Sequence, residues 1–261
     1  MEVLVAIFFF IFGLVFGSFF NVVGLRLPVN KNFSTDFSIC PNCKHRLSWI
    51  DLIPVLSFII QRSKCRYCKS KVSYIYPMGE TVTGILFTVS YLKFGFTLEL
   101  ITALLIVSML MIILISDLTF MVIPNKVLLF FLPLFTIAHI LQPLHSWWAS
   151  IVGALIPFGM IAIIIIVSRG GMGAGDMKLF GVLGFILGLE KTLLTFFLSC
   201  LIGAIVSTLL LFLNILKRKQ PFPFGPYIII GTLISYFYGN EIITWYVNLL
   251  FPIDTQASLT A

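Results

Sequence analysis

Charged side chains are the scarcest class in this sequence. Asp, Glu, Lys and Arg make up 10% of it, and only 10 of the 261 residues are acids. An ordinary soluble domain carries about 25% charged residues, so a reading as one or two soluble domains is excluded. The three histidines, His45, His139 and His145, show no spacing that pairs them with a metal or a nucleophile, and no role falls to them. No Gly-x-Gly-x-x-Gly turn follows a strand pattern, which excludes a Rossmann half. No internal repeat is convincing, and no low-complexity linker divides the chain. The first apolar run has Glu2 before it and its basic residues behind it, the reverse of a cleavable signal peptide. It reads as an uncleaved first helix with its N-terminus outside.

What fills the chain is apolar. Hydrophobic residues make up 59%, and the mean hydropathy is +1.09. Eight runs are candidate spans: Val3–Leu25, Met78–Phe96, Leu100–Ser116, Val127–Leu141, Trp147–Ser168, Met177–Leu189, Thr192–Leu216 and Phe224–Tyr238. Met177–Leu189 is short enough to be re-entrant. With all eight spanning, 15 of the 17 basic residues fall on one side and only Lys93 and Lys191 on the other, as the positive-inside rule expects. Arg169 and the Lys217-Arg218-Lys219 cluster belong to that basic side. From Glu241 on, with Trp245 and Tyr246, the chain reads as an amphipathic interfacial end. The fold class is an all-α polytopic membrane protein of about eight transmembrane helices with a small cytosolic zinc-binding loop domain. Its parts are a first helix at 1–25, a cytosolic loop at 26–76, a seven-helix membrane domain at 77–251 and a tail at 252–261.

Cys40-x-x-Cys43 and Cys65-x-x-Cys68 have the spacing of a four-thiolate zinc ribbon. Such thiols need a reducing compartment, which agrees with a cytosolic loop. A closed site of four cysteines keeps no position for water, so the zinc is expected to be structural. Cys200, inside an apolar run, reads as a buried apolar residue. The loop is basic and carries Trp49, Tyr67 and Tyr74, but that charge is what fixes topology and attracts anionic head groups. The partner it implies is membrane lipid, with no nucleic acid. Nothing in the sequence fixes an oligomeric state.

Two acids stand at edges of apolar runs. Asp117 ends one, and Asp176 follows the glycine-rich stretch Arg169-Gly-Gly-Met-Gly-Ala-Gly175. The charge-derived topology places both at the cytosolic face. Glycines such as Gly173 and Gly175 let another backbone approach closely and permit φ > 0. A carboxylate pair there can activate a water for peptide hydrolysis, one acid taking its proton while the protonated partner polarises the carbonyl. Helix dipoles place Asp176 at a positive helix end and Asp117 at a negative one, so Asp176 is expected to be the ionised base. A proton relay or cation site is the alternative chemistry for such a pair.

These residues together resemble a family. Gly173-x-Gly175-Asp176, Asp117 with Ile123-Pro124-Asn125, the twin Cys-x-x-Cys loop, Gly17-Ser18-Phe19-Phe20-Asn21 with Arg26-Leu27-Pro28, Tyr76-Pro77-Met78-Gly79-Glu80, and Pro223-Phe224-Gly225-Pro226 resemble, in order, the type IV prepilin peptidases. The likeness is nearest to the competence-type leader peptidases of Gram-positive bacteria. It implies a Gly-x-Gly-Asp aspartic endopeptidase of the bacterial cell membrane that removes the basic leader of prepilin or pseudopilin substrates, cutting after Gly. It also implies N-methylation of the new terminus with S-adenosylmethionine. By the same resemblance Asp117 and Asp176 are catalytic, Cys40, Cys43, Cys65 and Cys68 hold zinc, and Glu80 belongs to the methyltransferase site. Glu80 has a second reading, as an interfacial acid that neutralises the basic loop. A protease without methyl transfer, and a transporter or assembly subunit with a structural zinc loop, remain alternatives.

Overall fold

The structure is a computed structural model that describes residues 1–31, 37–142, 147–168, 171–213 and 223–250. Arg169, the basic cluster 217–219 and the tail 252–261 lie outside the described residues. The helices are α1 (Glu2–Arg26), α2 (Leu56–Ile60), α3 (Ile75–Phe94), α4 (Leu98–Phe120), α5 (Asn125–Leu141), α6 (Trp147–Val167), α7 (Ala174–Leu187), α8 (Leu189–Phe212) and α9 (Gly225–Leu250). All but the short α2 coincide with the eight apolar runs. Among the described residues there is no β-strand, only two isolated bridges in the loop. Among the described residues, four helices, in α1, α4, α6 and α8, are long and apolar enough to cross a membrane. With the shorter apolar helices beside them, this is a multi-pass membrane protein. α7, with 14 residues, rises about 21 Å, and only Gly188, at φ 78°, separates it from α8.

α4 is apolar on every face and stands at the centre, against α1, α3, α5 and α9. Ile106, Met109, Leu110, Met111 and Ile113 are fully buried there. α1 shows how the outer helices attach. Its large side chains, such as Leu4, Phe8, Ile11 and Val15, turn outward. Gly13, Gly17 and Gly24 face inward. A Cβ on Gly13 or Gly17 would lie 2.7 Å from the α3 backbone, at Gly84 or Glu80. Small residues at a helix crossing are the membrane solution, since lipid gives large apolar groups no reason to turn inward. Gly153 of α6 and Gly184 of α7 meet in the same way. Several buried hydroxyls are satisfied within their own helices: Thr83 donates to the Gly79 carbonyl at 2.6 Å and Thr232 to that of Ile228 at 2.7 Å.

Three details differ from the sequence reading. α4 does not stop at Ser116, because Leu118, Thr119 and Phe120 continue it to a left-handed Met121 (φ 54°) whose N–H bonds back to the Asp117 carbonyl. Asp117 therefore lies in the last turn of the helix, not beyond it. α9 runs unbroken through Glu241 to Leu250, so no separate terminal segment begins at 241. The loop also contains a repeat. Residues 38–48 and 63–73 both read Ser-x-Cys-x-x-Cys-Lys-x-basic-apolar-Ser. In each copy the first Cys N–H bonds to the carbonyl five residues on, at His45 and at Ser70. The Lys after the second Cys, Lys44 or Lys69, is left-handed and bonds to the first Cys carbonyl. One bridge closes each copy, Ile39 with Arg46 and Lys64 with Lys71. The shared residues are few and dispersed, which hides the repeat in one dimension.

Candidate functional site

Asp117 and Asp176 are buried, at 5% and 8% exposure. Asp176 is the third residue of α7, and its Oδ2 accepts the N–H of the N-cap Gly173 at 3.0 Å. That is the carboxylate half of a capping box. Asp117 is set from three directions. The left-handed Met121 closes the turn below it, and the Ser116 hydroxyl donates to the Val122 carbonyl at 2.6 Å, folding the following loop back on α4. Its own Oδ2 accepts the N–H of Gly225, the first residue of α9, at 3.0 Å.

The loop leaving α4 brings the two acids together. Ile123 packs on Gly175, where a Cβ would lie 3.2 Å from the Ile123 Cβ. Lys178 of α7 donates to the Asn125 side chain at 3.1 Å, and Lys126 donates to Asn30 beyond α1 at 3.2 Å. These contacts hold the start of α5 beside the pair. Gly173 is extended (φ −77°, ψ 144°), and neither Gly171 nor Gly175 has a positive φ. The glycines thus serve close approach, not the left-handed backbone also expected of them. The dipole argument changes as well. Asp117 ends α4 but bonds to the first N–H of α9, so both acids sit at positive helix ends and the expected asymmetry between them is lost.

The four cysteine sulfurs lie within 4.8 Å of one another. The Cys40 and Cys68 sulfurs are 3.8 Å apart, and a tetrahedral site with about 2.3 Å bonds to sulfur has an edge of about 3.8 Å. The set can hold a metal ion. The Ser70 hydroxyl, 3.1 Å from the Cys68 sulfur, and the Ser70 N–H hold that thiol down at about 6. Cys200 is apart from this cluster and is exposed on the outer surface of α8, not buried as expected.

Glu80 is buried in the second turn of α3 and is joined to the loop. Its Oε2 accepts the Val55 N–H at 2.8 Å. Val55 is the centre of a tight turn, at φ 60° and ψ −48°, closed by Leu56 N–H to Pro54 carbonyl at 2.5 Å. A β-branched residue there is strained and needs an outside partner to hold it. Glu80 is thus held by a backbone N–H of the loop and by the Ser18 side chain. One turn along α1 from Gly17, the Asn21 amide donates to the Tyr76 carbonyl at 3.0 Å. Its Oδ1 is buried without a partner, against Gly79. Gly225, Ser116, Asn21 and Val55 carried no individual signal in the sequence beyond membership of quoted motifs.

The model of the Bacterial Peptidase A24 N-terminal domain matches residues 11–94, and that of the Type IV leader peptidase family matches residues 104–208. The first stretch takes α1, the loop and α3 together; the second begins in α4. The prepilin leader peptidase/N-methyltransferase of Bacillus subtilis (strain 168) is 41% identical over 240 residues, covering 92% of this chain and 97% of that protein. Proteins of the same name from Legionella pneumophila and Pseudomonas aeruginosa are each 30% identical over 266 residues. They cover 91% and 90% of this chain, and 93% and 91% of their own lengths. No solved structure matches the chain.

Proposed function

The chain belongs to the type IV leader peptidase family, and from that premise we propose that it is a membrane aspartic endopeptidase that removes the leader of prepilin-like proteins at the cytosolic face of the bacterial cell membrane, cutting after Gly. One observation carries the reading. Two buried carboxylates from separate helices lie on contacting segments, each with its Oδ2 held by one backbone N–H. That leaves Oδ1 of each acid to meet a water and a scissile carbonyl between them. Two carboxylates this close share a proton and titrate as a unit. The ionised member takes a proton from the water as its oxygen attacks the carbonyl carbon. The protonated member donates to the carbonyl oxygen, and the amine leaves with a proton returned from the pair. A prepilin has an apolar helix behind a short basic leader, which puts its scissile bond at the membrane edge, where α4 ends and α7 begins.

The four cysteines suit zinc, which would close the two copies of the loop repeat against each other and add no chemistry to the cleavage. We also assign methyl transfer to the new N-terminal amine. S-adenosylmethionine, when bound, supplies the methyl group. Glu80 and the unpartnered Asn21 Oδ1 are two neighbouring buried acceptors that would hold a donor such as its ammonium. The test is purified protein with one synthetic prepilin, read by mass spectrometry. Cleavage after Gly by the parent, and none by folded, metal-loaded Asp117→Asn or Asp176→Asn, is the expected result. Cleavage retained in either variant overturns the assignment, and a methylated product lost in Glu80→Gln with cleavage intact places Glu80.

A further inference from the structure

The loop between α1 and α3 is the most polar part of the chain, yet it displays a group of large apolar side chains. Trp49 and Ile60 are 76% and 78% exposed, and Ile50, Leu56 and Ile59 are exposed beside them. The hydrogen bond from Val55 to Glu80 fixes their height. Glu80 lies five residues into α3 and two into its apolar run, about 3 Å along that run. The turn at Val55, and the α2 residues that follow it, are therefore held at the depth of that helix's second turn. Exposed Leu56, Ile59 and Ile60 at that depth meet the boundary between head groups and acyl chains, where a Trp is also favoured.

Beside them is a concavity of about 370 Å³. Ile50 and Ile60 form its apolar part, Lys64, Arg66 and Lys69 its charged part, and Gln61 and the metal-site Cys65 complete its lining. Among the described residues no acid lines it. Asp51 is engaged by Ser48, Gln61 and the Tyr67 hydroxyl, and its charge also acts on Arg66 without forming an ion pair. We propose that this concavity is a binding site for an anionic phospholipid of the leaflet on the loop's side of the membrane. The three cations take the phosphate and head group, and Ile50 and Ile60 take the top of the acyl chains. The apolar patch is tied to the start of α3 by the Val55–Glu80 bond and by the Phe58 ring on Tyr74, and its charged border complements an anionic head group. The loop is thus seated on the bilayer by a specific lipid, not suspended above it. The inference does not use the peptidase reading and fails or stands apart from it.

The test keeps Trp49 as the sole tryptophan by changing Trp147, Trp148 and Trp245 to Phe in the full chain. The protein is placed in phosphatidylcholine bilayers containing brominated phosphatidylglycerol or brominated phosphatidylcholine, and Trp49 quenching is titrated. Each Lys or Arg at an anionic surface contributes about fivefold, so the trio is expected to give on the order of tenfold to a hundredfold preference for phosphatidylglycerol. Changing Lys64, Arg66 and Lys69 together to Gln is expected to bring the two titrations together, with bound metal unchanged as the check on folding. Equal quenching by the two lipids in the parent chain overturns the site. So does a Trp49 untouched by either lipid and shielded only by an added acidic peptide, which would make the patch a polypeptide surface.

Discussion

Gly225→Ala is the sharpest test of how Asp117 is held. The Gly225 N–H donates to Asp117 Oδ2 at 3.0 Å, and a Cβ at 225 would lie 2.8 Å from the Asp117 Cγ and 3.1 Å from its Cβ. Ordinary contact begins at about 3.4 Å, so the Cγ contact alone requires a separation of about 0.6 Å, and Oδ2, which would lie closer still, requires more. A misplacement approaching 1 Å in a reacting group can cost about 100-fold. Loss of a hydrogen bond to a charged acceptor costs about 1.5–3 kcal/mol, or about 10- to 150-fold in rate. Both routes converge on a fall in kcat/KM for a synthetic prepilin of about 100-fold. Overpacking is also expected to lower the melting temperature modestly, at about 1–3 kcal/mol. The decisive measurement is kcat/KM at a temperature where the variant is folded by circular dichroism and carries its metal. A folded variant within about threefold of the parent would refute the claim that Gly225 is required for Asp117's geometry.

Other outcomes follow from the same structure. A Cβ on Gly159 meets nothing within 4 Å, so Gly159→Ala is expected to leave cleavage unchanged and to stabilise α6 by about 0.5–1 kcal/mol in thermal unfolding. Gly184→Ala instead drives a methyl into the Gly153 backbone. It should lower the melting temperature by several degrees, and a neutral effect would show that α6 and α7 are not packed as described. Removing the metal with a chelator is expected to increase hydrogen exchange across residues 38–73 before cleavage is lost. Loss of cleavage with the loop still protected would point to a catalytic metal. Burial pushes the Asp51 carboxyl up, but the Ser48 hydroxyl and N–H, Arg66 and Gln61 outweigh it and hold it below its ordinary value. A lowered carboxylate contributes stability that is complete above its unfolded pKa of about 3.9 and is lost as pH falls through the lower folded value. Loop exchange should therefore show an added acid dependence in that window, beyond any that follows from protonation of the metal-binding thiols. Asp51→Asn should abolish the dependence and weaken the loop by about 1 kcal/mol at neutral pH.

The helices were legible because lipid demands long apolar runs, and each run became a helix. Asp117 and Asp176 were legible for a related reason: an acid beside such a run stands out against its surroundings. Boundaries were less so. A run ends where hydrophobicity ends, but α4 ends where Met121 turns left-handed, four residues past Asp117. The four cysteines declared themselves by spacing. The repeat around them rests on backbone bonds that two copies with few shared residues do not announce. Gly225 was beyond reach by residue type or period. Its role depends on a contact with Asp117 across 108 positions, and on its own it is one glycine before a helix. Val55 is the opposite case, because a valine in a positive-φ turn contradicts its local preference and only Glu80, in another element, makes it tenable.

The single residue between α7 and α8 leaves the chain no slack at that joint. α7 is packed mainly against α6, and its far end is tied to α8 through that one residue. α8 in turn lies along α9, whose first N–H grips Asp117. The helix that carries Asp176 is thus linked through α8 to the helix whose first N–H holds Asp117.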